Sequence, residues 1–374
     1  MDRPMISLAT LLDEDLGRVC TDAAAEFDRM SGGRLLVTGG GGFLGYSLVQ
    51  APLHWNRMHP GRAPIEVVVW DNWLRGRPQW LQALEGTPHL SVRDYDLTRA
   101  LPADIGHFDW IVHAASIASP IYYRAMPIRT IDANVNGLRN LLDYAVARRD
   151  AGTPVSGLLF FSSSEIYGDP SADAIPTPET YRGFVSCTGP RACYDEAKRF
   201  GETLCVVFAQ AEQVPARVAR PFNNYGPGLK INDGRVIPDF ARDILAGRDI
   251  VMLSDGSPTR TFCYASDAIT GYFKVLVSGR AGEAYNVGIQ EPEISMAALA
   301  ELMAATARPL LGYTGKVTLG RSQEAAYLVD NPNRRCPVID KIRGELGFEP
   351  RVGIEEGIWR TLAWYHHNPR GAEG

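Results

Sequence analysis

Tyr194 and Lys198 stand four residues apart in the string Tyr194-Asp195-Glu196-Ala197-Lys198, a spacing that puts a phenol and an ammonium on one face of a helix. A lysine beside a bound ribose and a tyrosine lowers the phenol's pKa, so the tyrosine can take a proton from a sugar hydroxyl. Upstream, the apolar run Leu35-Leu36-Val37 leads into Thr38-Gly39-Gly40-Gly41-Gly42-Phe43-Leu44-Gly45. Glycines at 39, 42 and 45 are what a dinucleotide needs at the end of a first strand. One turns the chain, one lets backbone approach the pyrophosphate, and one lets helix pack on strand. Either string alone is weak, since Y-x-x-x-K arises by chance in many helices. In this order, the two predict a nicotinamide-dependent enzyme.

The elements that must position these residues follow from the pattern around them. From residue 34 onward strands alternate with helices, which predicts an α/β fold with a doubly wound, Rossmann-type parallel sheet. Residues 34–38 form the first strand, and the helix after Gly45 runs to about Trp55. Residues 65–70 form the second strand, and Asp71 follows it directly. An acid there accepts both hydroxyls of the adenosine ribose and repels a 2′-phosphate, favouring NAD over NADP, although Arg75 and Arg77 lie close by. Asp96 ends a further strand, where it either meets the adenine amine or caps the next helix. The fourth strand, 110–113, runs into Ala114, Ala115 and Ser116, small enough for backbone to lie against the cofactor. His113 reads as structural there. Residues 158–161 form a central strand with Ser162 to Gly168 at its carboxyl end, where open α/β sheets bind ligands.

Composition excludes other classes. The 374 residues carry a net charge of -5, so no basic field points to a nucleic-acid partner. Six cysteines lack C-x-x-C spacing, which suggests neither a disulfide framework nor a metal site. There is no apolar run of membrane-spanning length, and residues 1–30 lack a signal peptide's apolar core, so the expected location is cytoplasmic, away from membranes. Leu8, Leu11, Leu12, Leu16 and Val19 recur at helical spacing opposite Asp13, Glu14 and Asp15. Residues 1–33 thus read as a helical extension packed on the domain surface or on a neighbouring subunit. Residues 34–225, with a returning segment at about 262–288, form the expected NAD-binding domain. Residues 226–261 and 289–374 form a smaller α/β substrate domain, with the active site in the cleft between.

The glycines 39, 42 and 45, Asp71-Asn72, the run His113 to Ser116, the string Ser163 to Gly168 and the pair Tyr194/Lys198 resemble the extended short-chain dehydrogenase/reductases that modify nucleotide sugars. Within them, residues 189–199, 232–236, Ser119-Pro120 with Tyr122 and Tyr123, and Arg335-Cys336-Pro337 are similar to the UDP-glucuronate decarboxylases. The resemblance covers about residues 34–365. It implies NAD as a recycled cofactor, held by Gly39, Gly42, Phe43, Leu44, Gly45, Asp71, Asn72, Asp96, Ala114, Ser116, Tyr194 and Lys198.

It also implies a reaction. Ser163 bonds the sugar's 4-hydroxyl beside Tyr194, which takes the proton while hydride leaves C4. The 4-ketone makes the C5 carboxylate a β-keto acid, carbon dioxide departs, and hydride returns. Glu165 matches the family's acid and handles either the substrate carboxylate or the proton needed at C5. Arg335 binds carboxylate or phosphate, Arg235 and Arg260 bind pyrophosphate, and Asn223, Ser119 and Tyr122 complete the substrate set. There are departures from the family's pattern. Ser163 replaces the usual threonine, Cys336 replaces a lysine, and Ser164 stands where 4,6-dehydratases carry an acid, which argues against dehydration. The alternative is a nucleotide-sugar 4-epimerase using the same oxidation. A non-catalytic NAD-binding protein would not need Ser163, Tyr194 and Lys198. By the same analogy the chain pairs as a homodimer through the helices flanking Tyr194 and Lys198, with Leu204, Val207 and Phe208 as compatible apolar positions.

Overall fold

The computed structural model describes residues 4–102, 105–320 and 332–369; residues 1–3, 321–331 and 370–374 of the two flanking units named above lie outside it. Two helices open the chain, α1 (Leu8–Asp22) and α2 (Ala24–Met30). Ser7 caps the first by accepting from the Thr10 amide at 3.1 Å. Their apolar stripe does not merely lie on the surface. Leu16, Val19, Cys20, Phe27 and Met30 pack into the same core as the central strands.

β1 (Arg34–Thr38), α3 (Phe43–Met58), β2 (Glu66–Asp71), α4 (Gln79–Ala83) and β3 (Leu90–Asp94) make the first half of the nucleotide fold. β4 (Trp110–His113), α5 (Pro120–Ala125), α6 (Pro127–Asp150), β5 (Gly157–Phe161), α7 (Ala192–Glu212) and β6 (Ala216–Pro221) make the second. The chain then leaves through β7 (Asn224–Tyr225), α8 (Val236–Leu245), β8 (Ile250–Met252), β9 (Thr259–Arg260) and β10 (Cys263–Tyr264). It returns by α9 (Ala265–Ser278) and β11 (Ala284–Val287), and ends with β12 (Ile294–Ser295), α10 (Met296–Leu311), β13 (Val317–Leu319), β14 (Arg334–Arg335), α11 (Asp340–Leu346) and α12 (Ile354–His367).

Seven strands form one sheet in the order β11-β6-β5-β4-β1-β2-β3, every neighbour parallel. The chain reverses direction across the sheet between β1 and β4, so a crevice opens beyond their carboxyl ends. β5 is buried at every position, as a central parallel strand covered on both faces must be. A second core gathers Ile237, Phe240 and Ile244 of α8, Leu299 and Met303 of α10, and Ile358, Leu362 and Trp364 of α12. Near the C-terminus, Ile339, Ile342 and Phe348 pack with the sheet and not with this second core.

Candidate active site

A cleft of about 1500 Å³ runs from the β1 turn across the carboxyl ends of β4 and β5 to α8 and β14. Gly39 sits at φ +68°, and a Cβ on it would lie 2.5 Å from the Ala115 backbone. A Cβ on Gly45 would lie 2.2 Å from the Gly40 carbonyl oxygen, so helix α3 can meet the turn only without a side chain there. Gly42 is the N-cap of α3 and offers no capping side chain, which leaves the first-turn amides facing the cleft, where an anion is favoured. Phe43 and Leu44 line the same wall.

Asp71 closes β2. Its Oδ2 accepts from the Gly41 amide at 3.0 Å and its Oδ1 from the Trp73 amide at 2.9 Å, which fixes the carboxylate beside the turn. Burial raises its pKa. Of the two nearby arginines, Arg75 pairs with Asp233 at 2.9 Å and stacks 3.9 Å above the Tyr122 ring, while Arg77 pairs with Glu85. Asn72 bonds Asp96, which in turn accepts from the amide and hydroxyl of Thr98 at 3.0 and 2.8 Å and so closes a turn. Ala114 and Ser116 line the cleft. The Ser116 hydroxyl is buried with no partner among the described residues, a polar atom aimed where a cofactor group would satisfy it. The turn, the free helix terminus, Asp71 and Ser116 together fit NAD.

His113 is buried and bonds the Thr38 hydroxyl at 2.9 Å and the Ala133 carbonyl at 3.2 Å. Burial pushes its pKa down to about 3, so it is a neutral structural imidazole.

Helix α7 brings Tyr194 and Lys198 to one buried face, with the lysine 5.5 Å from the tyrosine ring centre. Ser163, at the carboxyl end of β5, hydrogen-bonds the Tyr194 phenol. Lys198 donates to the Phe161 carbonyl at 2.6 Å, and burial lowers its pKa to about 7. The chain's own groups do not lower the phenol as its neighbour suggested. Burial pushes Tyr194 up to about 12, against the opposing hydrogen bond from Ser163.

Past Ser163 a single 3-10 turn, Ser164–Tyr167, aims Glu165 into a group of arginines. Arg335 grips Glu165 with two bonds, Nη1 to Oε1 at 2.7 Å and Nη2 to Oε2 at 2.6 Å. Arg191, the N-cap of α7, places Nη2 on the same Oε2. Burial would raise the Glu165 pKa, but Arg191, Arg335 and Arg260 outweigh it and hold it at about 2. Glu165 is therefore ionised at neutral pH. Asp195 stands behind Arg191, with Oδ2 3.5 Å from Nε. Burial and the Glu165 charge push Asp195 up to about 7. Arg191 lies within the string 189–199 that carries the family resemblance, but nothing in the sequence assigned it a role.

The other expected substrate residues divide. Asn223 holds φ +42° and donates to the Thr261 carbonyl at 2.9 Å, its side chain at the cleft. Arg235 reaches the cleft with Nε 3.1 Å from Asp233 Oδ2. Arg260 is buried, bonds the Thr259, Pro332 and Asn333 carbonyls, and has its pKa lowered to about 9 by burial and the Arg335 charge. Ser119 also lines the cleft but is buried and donates to the Asp233 carbonyl at 2.7 Å. Tyr122 lies under Arg75 and outside the cleft lining; the next residue round α5, Tyr123, lines it and stacks on Tyr194 with ring centres 5.1 Å apart. Successive residues on a helix point about 100° apart, so only one of the pair can face the site.

The seven-stranded parallel sheet, the glycine turn and the Ser-Tyr-Lys group define a dinucleotide-dependent enzyme of the extended short-chain dehydrogenase/reductase class. The chain belongs to the NAD dependent epimerase/dehydratase family, which matches residues 35–288. It is similar to UDP-glucuronic acid decarboxylase 3 of Arabidopsis thaliana, at 35% identity over 87% of this chain and 86% of that one. It is also similar to UDP-glucuronic acid decarboxylase 1 of Xenopus tropicalis, at 36% identity over 89% of this chain and 72% of that one. Among solved structures, the dTDP-glucose 4,6-dehydratase DesIV of Streptomyces venezuelae, with NAD bound, superposes with TM-score 0.75 and 27% identity, covering 90% of this chain and 97% of that one.

Proposed function

We propose that this protein is an NAD-dependent decarboxylase of a nucleotide-linked uronic acid, with UDP-glucuronate as substrate and UDP-xylose as product. The supporting observation is the guanidinium group around Glu165. Three arginines, two of them on one carboxylate, line the cleft that also holds Ser163 and Tyr194. Oxidising a neutral sugar at C4 needs no such charge; managing a carboxylate does.

Gly39–Gly45, Asp71 and Ser116 would hold NAD, which would supply a reversible hydride acceptor and a positive ring that favours the phenolate. Tyr194, bonded to Ser163, takes the proton of the sugar's 4-hydroxyl, and Lys198 orients the ribose beside it. Arg335 engages the substrate carboxylate. With a ketone at C4 that carboxylate belongs to a β-keto acid, so carbon dioxide leaves with its electrons spread into the ketone. While Arg191 and Arg335 hold it Glu165 is ionised, so in the resting site its part is to hold the arginines. The enolate left by carbon dioxide takes its C5 proton from water in the cleft before hydride returns to C4. Arg235 and Arg260 neutralise the pyrophosphate and Asn223 bonds the substrate.

The reading includes a homodimer. On α7 Phe200 and Val207 are exposed, and on the adjacent α6 Ile128 and Ile131 are exposed. Of the three positions expected to pair, Val207 alone is open, since Phe208 is buried in the core and Leu204 packs partly against it. A cytoplasmic location also belongs to this reading, resting on the sequence expectation alone. The test is to incubate protein with NAD and UDP-glucuronate and follow carbon dioxide and the UDP-sugar by mass spectrometry. Release of carbon dioxide with a UDP-pentose is expected. Exchange of glucuronate with its 4-epimer and no carbon dioxide would replace the reading with the epimerase.

A further inference from the structure

Arg335 has both terminal nitrogens on Glu165, and its Nε is buried with no partner among the described residues. A substrate carboxylate that uses the same guanidinium fork must displace Glu165 from it. A buried carboxylate stripped of its partner is strongly unfavourable, so the exchange needs something to receive Glu165.

Arg191 is built for that. It already contacts Oε2, the oxygen that Arg335 Nη2 also holds. Its side chain is only 9% exposed, and as the N-cap of α7 its backbone is fixed by the helix that carries Tyr194 and Lys198. Asp195 lies on its far side, 3.5 Å from Nε, and the Tyr123 ring centre is 5.8 Å from its central carbon. Arg335, by contrast, comes from a two-residue strand in the smaller sheet β12-β9-β14. The two guanidiniums that share one carboxylate thus belong to different parts of the fold, one anchored to the oxidising helix and one to the substrate side.

We propose that Arg191 is a positioning residue that keeps Glu165 paired while Arg335 passes from Glu165 to the substrate's carboxylate. The inference rests on the reading above in one respect, that the substrate brings a carboxylate to Arg335. Its consequence is specific. Removing Arg191 strands Glu165 only when a second carboxylate arrives, so it penalises UDP-glucuronate and spares UDP-glucose, which carries a hydroxymethyl group in place of the carboxylate. The penalty requires the Glu165 charge.

The test is a binding cycle on the NAD-loaded, full-length Tyr194→Phe chain, in which turnover is blocked, using calorimetry with UDP-glucuronate and UDP-glucose. Arg191→Met is expected to weaken UDP-glucuronate at least tenfold relative to UDP-glucose. In a Glu165→Gln background the same substitution should change that ratio less than twofold. Arg191→Lys, which keeps the charge and serves if the methionine variant does not fold, should lose part of the discrimination and regain it on Glu165→Gln. A ratio indifferent to Arg191, or an equal loss in both Glu165 backgrounds, overturns the inference and leaves the decarboxylase reading standing. A parent chain that binds the two nucleotide sugars equally removes the premise that the carboxylate engages Arg335 and overturns the inference, while carbon dioxide release still decides the decarboxylase reading.

Discussion

The carboxylate of Glu165 and the guanidinium of Arg335 are 170 residues apart in sequence and are joined by two hydrogen bonds, at 2.7 and 2.6 Å. The pair lines the cleft that holds Ser163 and Tyr194, with Arg191 sharing one of its oxygens. A parallel two-bonded contact of this kind depends on the planar guanidinium and is lost with a point charge. If, as proposed, oxidation is carried out at Tyr194 and the substrate's charge is handled at Arg335, substitutions should separate the two steps.

Glu165→Gln keeps size and removes charge, so Arg191 and Arg335 face a neutral amide. Carbon dioxide release should fall, because Arg191 and Arg335 lose the charge that sets their positions. Oxidation at C4 should survive better. Arg335→Lys should show the same split. A single-turnover assay following NADH absorbance beside labelled carbon dioxide reads both, and equal losses in the two signals would contradict the division.

Tyr194→Phe deletes the proton acceptor without changing shape, so turnover should drop by about 10²–10⁴ while NAD and substrate still bind. Burial leaves the phenol near 12, so in the parent chain C4 oxidation should quicken as pH rises from about 6 to 9. Lys198→Met should weaken NAD binding as well as rate. A phenylalanine variant with near-normal turnover would remove Tyr194 from its role, whereas a parent rate flat across that range would show that bound NAD has already brought the phenol's pKa below it.

Asp71 lies beside the glycine turn with both oxygens tied to backbone amides, and Arg75 is engaged by Asp233 and Tyr122. NADP should therefore bind far more weakly than NAD, because a 2′-phosphate meets a fixed carboxylate and no available Arg75. Asp71→Ser should narrow the gap by removing the repulsion. Fluorescence titration with each dinucleotide measures it.

The sheet was readable because local signals agreed with one another. Buried strands such as Gly157–Phe161 are continuous apolar runs, the glycines at 39, 42 and 45 mark the first turn, and Tyr194 and Lys198 share a helix face whatever surrounds them. Contacts between distant segments were not readable. Nothing near Glu165 in sequence announces Arg335, and Arg191 resembles any arginine at a helix start. Tyr122 and Tyr123 are indistinguishable by type, and only the docking of α5 decides which faces Tyr194. The amphipathic stripe of α1 said that one face was buried, but not that it was buried against α3, α9 and α12 and divided between the two cores.

That burial has a polar anchor. Asp15, in α1, accepts from the Tyr264 hydroxyl at 2.6 Å and from Arg360 Nη1 at 3.1 Å, all three residues buried. Asp15→Ala leaves the tyrosine hydroxyl without its acceptor and Arg360 with Glu14 and Glu356 as its acidic partners among the described residues. An unsatisfied buried donor costs roughly 1–3 kcal/mol. Denaturant unfolding should show a loss in that range or above, and an unchanged midpoint would mean that α1 is held by its apolar face alone.

Asp195 offers a test through pH. Its folded-state pKa is raised from 3.8 to about 7 by burial and by the Glu165 charge. A raised carboxyl stabilises the fold fully below its unfolded pKa, and this stabilisation is lost as pH rises through the folded value. Between pH 3.8 and about 7 the folded chain holds a proton that the unfolded chain releases, so the contribution of Asp195 falls across that window. Asp195→Asn cannot release a proton. Relative to the parent it should gain stability steadily as pH climbs from about 4 to 7 and then hold that gain. Paired melting curves at several pH values measure the difference directly. A constant offset between variant and parent would mean that Asp195 is ionised throughout and pairs with Arg191 as a permanent charge.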